Sequence, residues 1–531
     1  MELKTNVLYY GDNLDILRKH IPDDSVDLIY LDPPFNSNRS YNVLFRESGG
    51  AGSGAQIEAF EDTWQWGQAA QGAYEEVVTG PHQRVARMLQ AMVEGLGHND
   101  VTAYLTMMAT RLIELHRVVK PTGSIYLHCD PTTGHYLKAL MDAIFGPQNF
   151  RNEIVWRRYG AHNDVGQGSK HFGRVHDILL FYTKGNSPVW EQAFVTLDPQ
   201  YVASTYRYVE QKTGRRFRTT PLTGPGGAAK GNPVYEWKGH TRAWRYSKAT
   251  MEQLDREGRL YYSRTGYACR KAYLDESRGV PVQDVWEDVR SLSGAHKERL
   301  GYQTQKPLAL LERIISASSN PGDIVLDPFC GCGTAVHAAQ KLGRRWIGID
   351  ITHLAIGLIR RRMRDAFPGL AIEVVGEPKD LEGAKYLASS KPKQFEYWAV
   401  DKLDAQPTGG KGQDLDGVKP FIEFGGKVKR AVISVKGTKS VNPEMIREVL
   451  GALGPDKPIG ILATLAKPTS GMITQAAAAA SYESAGQKYP RVQIITVEDI
   501  LNGKRPHLPS PVSPFAKAPK EKKNPQQEAL L

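Results

Sequence analysis

The chain has 531 residues, a formal net charge of +11, a pI near 9.2 and four cysteines. That length suits about two to four domains, and so few cysteines exclude a disulfide framework and favour a reducing compartment. The opening MELKTNVLYYGDN has no apolar h-region and no run long enough to span a bilayer, so a soluble cytoplasmic protein with a polyanionic partner is expected.

In chain order, Asp12 of YYGDNLDIL can cap a helix beginning at Leu14. Val26, Leu28, Ile29, Tyr30 and Leu31 predict one short buried strand. Asp32 stands where that strand must stop, because Pro33 and Pro34 cannot donate ladder hydrogen bonds. The prolines also push the residues before them toward extended geometry. Asp32, the neighbouring carbonyls and Phe35 therefore form a stiff tip with acceptors and a ring. The run AYLTMMATRLIELHRVV places Leu105, Met108, Leu112, Leu115 and Val119 on one helical face. Pro121 and Gly123 close it, and SIYLHCD and HDILLFYTKG read as strands. Strand–helix alternation of this kind predicts a parallel sheet covered by helices.

From 186 to 295 aromatic and basic residues interleave, as in YRYVEQKTGRRFR and YEWKGHTRAWRYS. Arg and Lys neutralise phosphates, Arg reads guanine edges, and Trp or Tyr stack on bases. Arg215, Arg216, Arg218, Lys238, Arg242 and Arg245 are the candidates for contacting DNA; for any one of them a solvated surface charge is the plainer reading.

Alternation resumes with Pro307 opening a helix whose Leu308, Leu311 and Ile315 share a face. LDPFCGCGT, residues 326–334, is a strand, a turn with Gly331 and Gly333, and a helix start. Glycines let backbone approach a ligand, and the helix N-terminus offers unpaired N–H groups. Ala335, Ala338, Ala339 and Leu342 form that helix's apolar stripe, closed by Gly343. Asp350 ends the next strand, WIGID, 23 residues after Asp327, where an acid can accept from ribose hydroxyls. Neither GxGxxG nor GxxxxGK[ST] is present, which disfavours dinucleotide and NTPase sites. Cys330 and Cys332 have no second pair at ligand spacing, so a metal centre is not expected.

The pair LDPPF and LDPFCGCGT, with TQKP just ahead of the second, resembles the amino-group DNA methyltransferases that use S-adenosyl-L-methionine. The order, with the catalytic motif first and the cofactor motif last, resembles the permuted β class over about residues 5–375. The resemblance implies a circularly permuted, Rossmann-like α/β methyltransferase fold with an inserted target-recognition region. In it Asp32, Pro33, Pro34 and Phe35 carry the chemistry, with Phe35 stacking on a flipped base. Asp327, Phe329, Gly331, Gly333 and Thr334 match the cofactor loop, with Cys332 where serine is frequent. Asp350 matches the ribose acid, Lys306 the position near the methionine carboxylate, and Asp12 the Gly-Asp turn near the adenine ring. The DPP start implies adenine N6 on double-stranded DNA. The alternatives are cytosine N4, an RNA substrate, or a non-catalytic DNA-binding module.

The C-terminal stretch DLDGVKPFIEF…KRAVISVKG resembles Mrr-type restriction-endonuclease-like domains, which are α/β. By that resemblance Asp416 is the first acid and Lys436 the lysine of E/Q-x-K, with Ser434 replacing the usual carboxylate or amide. Mg²⁺ is implied only if this part cleaves DNA, with Glu423 or Asp414 making up for the serine. The expected organisation is a catalytic half at 1–185, target recognition at 186–295 and a cofactor half at 296–375. A linker at 376–412, an endonuclease-like domain at 413–505 and a disordered tail at 506–531 follow. Expected partners are DNA, and a homodimer mate or separate restriction subunit, in a prokaryotic, nucleoid-associated setting without a membrane.

Overall fold

A computed structural model describes residues 3–34, 40–46, 52–61, 65–160, 168, 170–293, 296–300, 302, 304–408, 415–423 and 425–512, with only the backbone of 40–46 and 52–61. Phe35, Asp414 and residues 513–531 lie outside the described residues. The chain divides into two compact units, Met1–Glu191 with Asp284–Leu531, and Gln192–Gln283.

The first unit is built on a nine-stranded sheet. In chain order its strands are β1 (Val7–Tyr10), β2 (Val26–Leu31), β3 (Val119–Cys129), β4 (Phe150–Arg157), β5 (His176–Thr183), β6 (Val285–Trp286), β7 (Ile324–Asp327), β8 (Arg345–Asp350) and β9 (Glu373–Val375). Their spatial order is β6-β4-β5-β3-β2-β7-β8-β1-β9. All neighbours run parallel except β5, which is antiparallel to both β3 and β4. The expectation of a parallel sheet is thus corrected at HDILLFYT. β2 is buried along its whole length between β7 and β3, as the apolar run Leu28–Leu31 requires, and Asp27 within it accepts from Lys120 Nζ at 2.7 Å and Ile324 N at 2.9 Å.

Helices cover the sheet. α1 (Asn13–His20) is capped by Asp12. α2 (Gln68–Thr79) and α3 (Gln83–Leu96) precede α4 (Asp100–Val118). α4 starts earlier than its apolar face suggests because Asn99 and Thr102 form a capping box there. Leu105, Met108, Leu112 and Leu115 are all fully buried. α5 (Gly134–Phe145), α6 (Leu308–Ser318), α7 (Thr334–Lys341) and α8 (His353–Ala366) complete this layer.

The segment expected as a linker is instead helical. α9 (Leu381–Ser390) and α10 (Pro392–Lys402) occupy most of 376–412. Phe395, Trp398, Ala399 and Val400 of α10 enter the core of a second, five-stranded sheet. That sheet is β10 (Gln406–Pro407), β11 (Gly417–Ile422), β12 (Val428–Lys436), β13 (Ile459–Thr464) and β14 (Val492–Thr496), in that spatial order. β11 runs antiparallel to its neighbours, and β12, β13 and β14 are parallel. The same α10 is tied to α8, where Asp401 accepts from Arg360 and Arg361, and to the segment after β9, where Lys402 Nζ donates to Glu377 at 2.8 Å. Gly357 of α8 permits this approach, since a Cβ there would lie 2.3 Å from Asp401 Oδ1. The two sheets therefore share one compact unit, and 413–505 does not stand apart behind a linker. The first residues of the expected tail also pack, with Leu508 buried and Val512 N donating to Pro420 O at 3.0 Å.

The inserted unit is narrower than 186–295 because Val285–Trp286 joins the large sheet beside β4. It contains a four-stranded sheet and small two-stranded pairs around Leu222, Trp237, Trp244, Met251 and Leu260. Among the described residues no helix is long and apolar enough to cross a membrane.

Candidate functional site

Four neighbouring strands deliver four acids to one edge of the large sheet. In spatial order these are Asp32 after β2, Asp327 ending β7, Asp350 ending β8, and Asp12 just past β1. The carboxyl ends of parallel strands are where open α/β sheets bind ligands. A cavity of about 670 Å³ lies there, lined by all four acids and by Pro34, Tyr302, Lys306, Phe329, Gly331 and Thr334. This volume is in the range of small-molecule and cofactor sites. α2 contributes Gln68, Ala69, Ala73 and Glu76 to its wall.

The loop between β7 and α7 is held from both sides. Cys330 N donates to Ile349 O (3.0 Å) and Gly331 N donates to Asp350 Oδ2 (2.9 Å). Gly333 lies in the left-handed region at φ +74°, and a Cβ there would come within 2.8 Å of Ile359. Phe329 N donates to Asp327 Oδ1 at 3.1 Å. Burial pushes the Asp327 carboxyl well above its usual range, with Asp32 and Asp350 adding to the effect. Burial likewise raises Asp350 to about 6, against N–H and hydroxyl donors from Thr352 and Gly331 that favour the ion. Both thiols are buried, and their burial pushes them up. Among the described residues no cluster of His, Cys, Asp or Glu could hold a metal ion.

Lys306, expected to face a ligand carboxylate, meets Asp32 in the structure: its Nζ donates to Asp32 Oδ2. Its carbonyl accepts from Thr334 Oγ1 at 3.3 Å, so this lysine links the Asp32 tip to the loop. Asp12 does cap α1, accepting from Leu14 N at 2.8 Å, and it also lines the cavity. The capping reading therefore holds, at a residue that also borders the cavity.

Four contributors were not anticipated. Arg111 of α4 reaches both oxygens of Asp12 at 3.0 Å and Asn13 Oδ1 at 2.7 Å. Asn13 in turn donates to Pro328 O at 2.9 Å, joining α1 to the loop. Arg362 of α8, 2 % exposed, donates to Cys332 O and Thr334 Oγ1 at 3.2 and 3.0 Å. Tyr302 packs over Gly331. An arginine inside the apolar stripe TMMATRLIEL was the legible signal for Arg111, since a charge there demands an acid.

In the inserted unit the basic candidates divide. Arg215 is consumed by Asp275 and Glu276 at 2.7–2.9 Å, and Lys238 by Asp255 at 2.8 Å. Arg218 donates to Tyr201 Oη at 3.3 Å. Arg216, Arg242 and Arg245 are exposed, with no ion pair among the described residues.

In the second sheet, Asp416 Oδ2 accepts from Val435 N at 2.6 Å, and Lys436 pairs with Glu448 at 2.9 Å. Ser434 between them is buried. Glu423 cannot make up for the serine: it lies beyond the far end of β11 from Asp416, roughly 20 Å away at about 3.3 Å per residue, and it accepts from Tyr482.

A DNA methylase family model of the N6/N4 type matches residues 26–360. The type II methyltransferase M.EcaI of Enterobacter cloacae is 29 % identical over 370 residues, covering 68 % of this chain and 69 % of that protein. The Mod subunit of the type III restriction-modification enzyme StyLTI of Salmonella typhimurium is 28 % identical over 357 residues, which span 64 % of this chain and 50 % of the subunit. The DNA adenine methyltransferase YhdJ of Escherichia coli K12 is 25 % identical over 368 residues, covering 68 % of this chain and 83 % of that one.

Proposed function

The chain belongs to the N6/N4 DNA methylase family, and from that premise we propose site-specific methylation of adenine N6 in duplex DNA, in a restriction-modification setting. The carrying observation is that Asp32, Lys306, the β7–α7 loop and Asp350 line one cavity. Adenine is favoured by the DPP start and by the similarity to a relative named as an adenine methyltransferase.

The residues fit S-adenosyl-L-methionine: a carboxylate at a strand end suits a ribose diol, a loop ahead of a helix suits a charged amino-acid moiety, and Tyr302 and Phe329 offer apolar walls. Asp350 and the loop residues Phe329, Gly331, Gly333 and Thr334 would hold it, with Asp12 and Lys306 at the two ends. When bound, it supplies an electrophilic methyl group on a sulfonium.

An exocyclic amine is a weak nucleophile because its lone pair is delocalised into the ring. Asp32 and a carbonyl of the Pro33–Pro34 tip accept its two hydrogens and favour a pyramidal nitrogen with a free pair. This is electrostatic preorganisation by acceptors. Transfer to that nitrogen would form its bond to the methyl carbon as the C–S bond broke, the bonding pair passing to sulfur. The amine then sheds one proton, and Asp32, already hydrogen-bonded to it, is the first acceptor. Placement in line supplies much of the rate.

The inserted unit is the target-reading part, with Arg216, Arg242 and Arg245 as its available cations. The second sheet does not fit Mg²⁺ among its described residues: Glu396 of α10 acts on Asp416, but no cluster of three acids, histidines or cysteines forms there, and a DNA-binding or regulatory role is the reading it supports. Cleavage of unmodified plasmid with Mg²⁺, lost in Lys436→Ala, would overturn that.

The test is nucleoside mass spectrometry on DNA from methylation-free cells expressing the chain. New N6-methyladenine that vanishes in Asp32→Ala is expected. N4-methylcytosine would overturn the base, and no new methylated base in the presence of folded protein would overturn the proposal.

A further inference from the structure

A second polar chain lies beside Asp32, unused by the scheme above. Tyr30 is two residues before Asp32, so both project from the same face of β2. Leu31 is level with Leu127 of β3, which places His128 beside Asp32, and Ile29 is level with Leu326, which places Tyr30 beside Asp327. Tyr30 Oη lies 2.9 Å from His128 Nδ1, and His128 Nε2 lies 3.0 Å from Asp177 Oδ2 on β5. Arg158 Nε stands 3.2 Å from the other Asp177 oxygen. Tyr30 is 2 % exposed, and His128 and Asp177 are fully buried, with Trp156 edge-on to the imidazole at 5.6 Å. Polar side chains in a row across buried strands are costly unless each is paired, and here they connect to the cavity, which Tyr30 lines.

The direction of each hydrogen bond follows from the far end. A carboxylate only accepts, so His128 carries its proton on Nε2 and donates it to Asp177. Burial, and next the Lys306 charge, hold the imidazole below its usual range, so it stays neutral with a lone pair on Nδ1. Burial pushes Asp177 up, but the bond from His128 and the nearby cations carry it below its usual range. Nδ1 therefore accepts, and the Tyr30 hydroxyl must donate. A phenol whose one proton is committed to His128 has only lone pairs left for the cavity.

We propose that Asp177 and His128 are positioning residues that fix the Tyr30 oxygen as an acceptor-only group in the cavity wall beneath Asp32. From the cavity wall, of which Tyr30 is part, it would offer lone pairs to an electron-poor methyl group bound there. It takes no proton and forms no bond; it stabilises positive charge as a preset dipole. The inference rests on the methyltransferase reading above.

The test is single-turnover transfer from radiolabelled S-adenosyl-L-methionine to methylation-free bacterial DNA, using the full chain and its Tyr30→Phe, His128→Asn and doubly substituted forms. Tyr30→Phe is expected to slow transfer about 10- to 100-fold while calorimetric cofactor affinity stays within about twofold. His128→Asn should slow it similarly, and the double variant should be no slower than the slower single, because the two act as one unit. Multiplying losses would mark His128 as merely structural and overturn the proposal, as would a Tyr30→Phe protein transferring at the wild-type rate. Tyr30→Phe removes one oxygen and keeps the ring, so it decides the matter even if His128→Asn does not fold. A wild type that transfers nothing overturns the functional reading and this one together, whereas an active wild type with an equally active Tyr30→Phe overturns this one alone.

Discussion

Replacing Gly333 by alanine probes the loop at its tightest point. Its φ of +74° lies in the left-handed region, which costs an L-residue about 1–2 kcal/mol. The new Cβ would also meet Ile359 Cγ2 at 2.8 Å and Cγ1 at 2.9 Å. Ile359 is fully buried and cannot swing away, so overpacking adds roughly 1–3 kcal/mol. The sum is roughly 2–5 kcal/mol. Gly343 provides the control: its φ is +70°, but a Cβ there meets nothing within 4 Å, so Gly343→Ala carries the conformational part alone. Differential scanning calorimetry of the two variants without ligand reads the difference directly, and Gly333→Ala should melt several degrees below Gly343→Ala. Equal melting temperatures would refute the packing argument. A Gly333→Ala protein as stable as wild type would refute the left-handed loop itself.

Asp350 sets a pH dependence. Folding raises its carboxyl from 3.8 to about 6, so the folded chain binds that proton more tightly than the unfolded one. Stability without ligand should therefore fall as pH rises through that window and level off above it. Cofactor affinity runs the other way, because ribose hydroxyls need the carboxylate. Calorimetric affinity should weaken below about pH 6 in wild type and show no such step in Asp350→Asn; a flat wild-type profile would sink the assignment. Asp401→Ala removes the acid shared by Arg360 and Arg361 and should cost about 3–5 kcal/mol, seen as a lower melting temperature; an unchanged melt would show that α8 and α10 are held by other contacts. Arg242→Ala should reduce the slope of log affinity for DNA against log salt by about 0.9, measured by fluorescence anisotropy. Arg215→Ala should leave that slope alone and instead destabilise the inserted unit, and the reverse pattern would invert the division of basic residues drawn here.

What could be read ahead of the structure was what sits at strand ends. LDPPF and LDPFCGCGT each place an acid where an apolar run stops, and the backbone puts Asp32, Asp327 and Asp350 together at one sheet edge. Pairings across long sequence separations were not readable. Arg111 finds Asp12 from 99 residues away, and Arg215 finds Asp275 from 60, so a run of basic residues looks the same whether it is free or already paired. The segment 376–412 was misread because its glycines and proline drew attention from Phe395, Trp398 and Ala399, whose helical spacing marks a buried face. The strand direction of HDILLFYT could not be told from composition, because a buried strand is apolar whichever way it runs.

The central pairings of the large sheet join segments far apart in the sequence. β2 lies against β7, and β1 pairs only with β8 and β9. During synthesis, then, β1 leaves the ribosome more than 330 residues before β8 exists, roughly 20–70 s at ordinary elongation rates. Throughout that interval the nascent chain exposes the edges of β1 and β2 as open templates for pairing with other chains. Asp32 is thus translated well before the β7–α7 loop and Asp350, which line the same cavity. The cavity therefore cannot form until the chain has been made past Asp350.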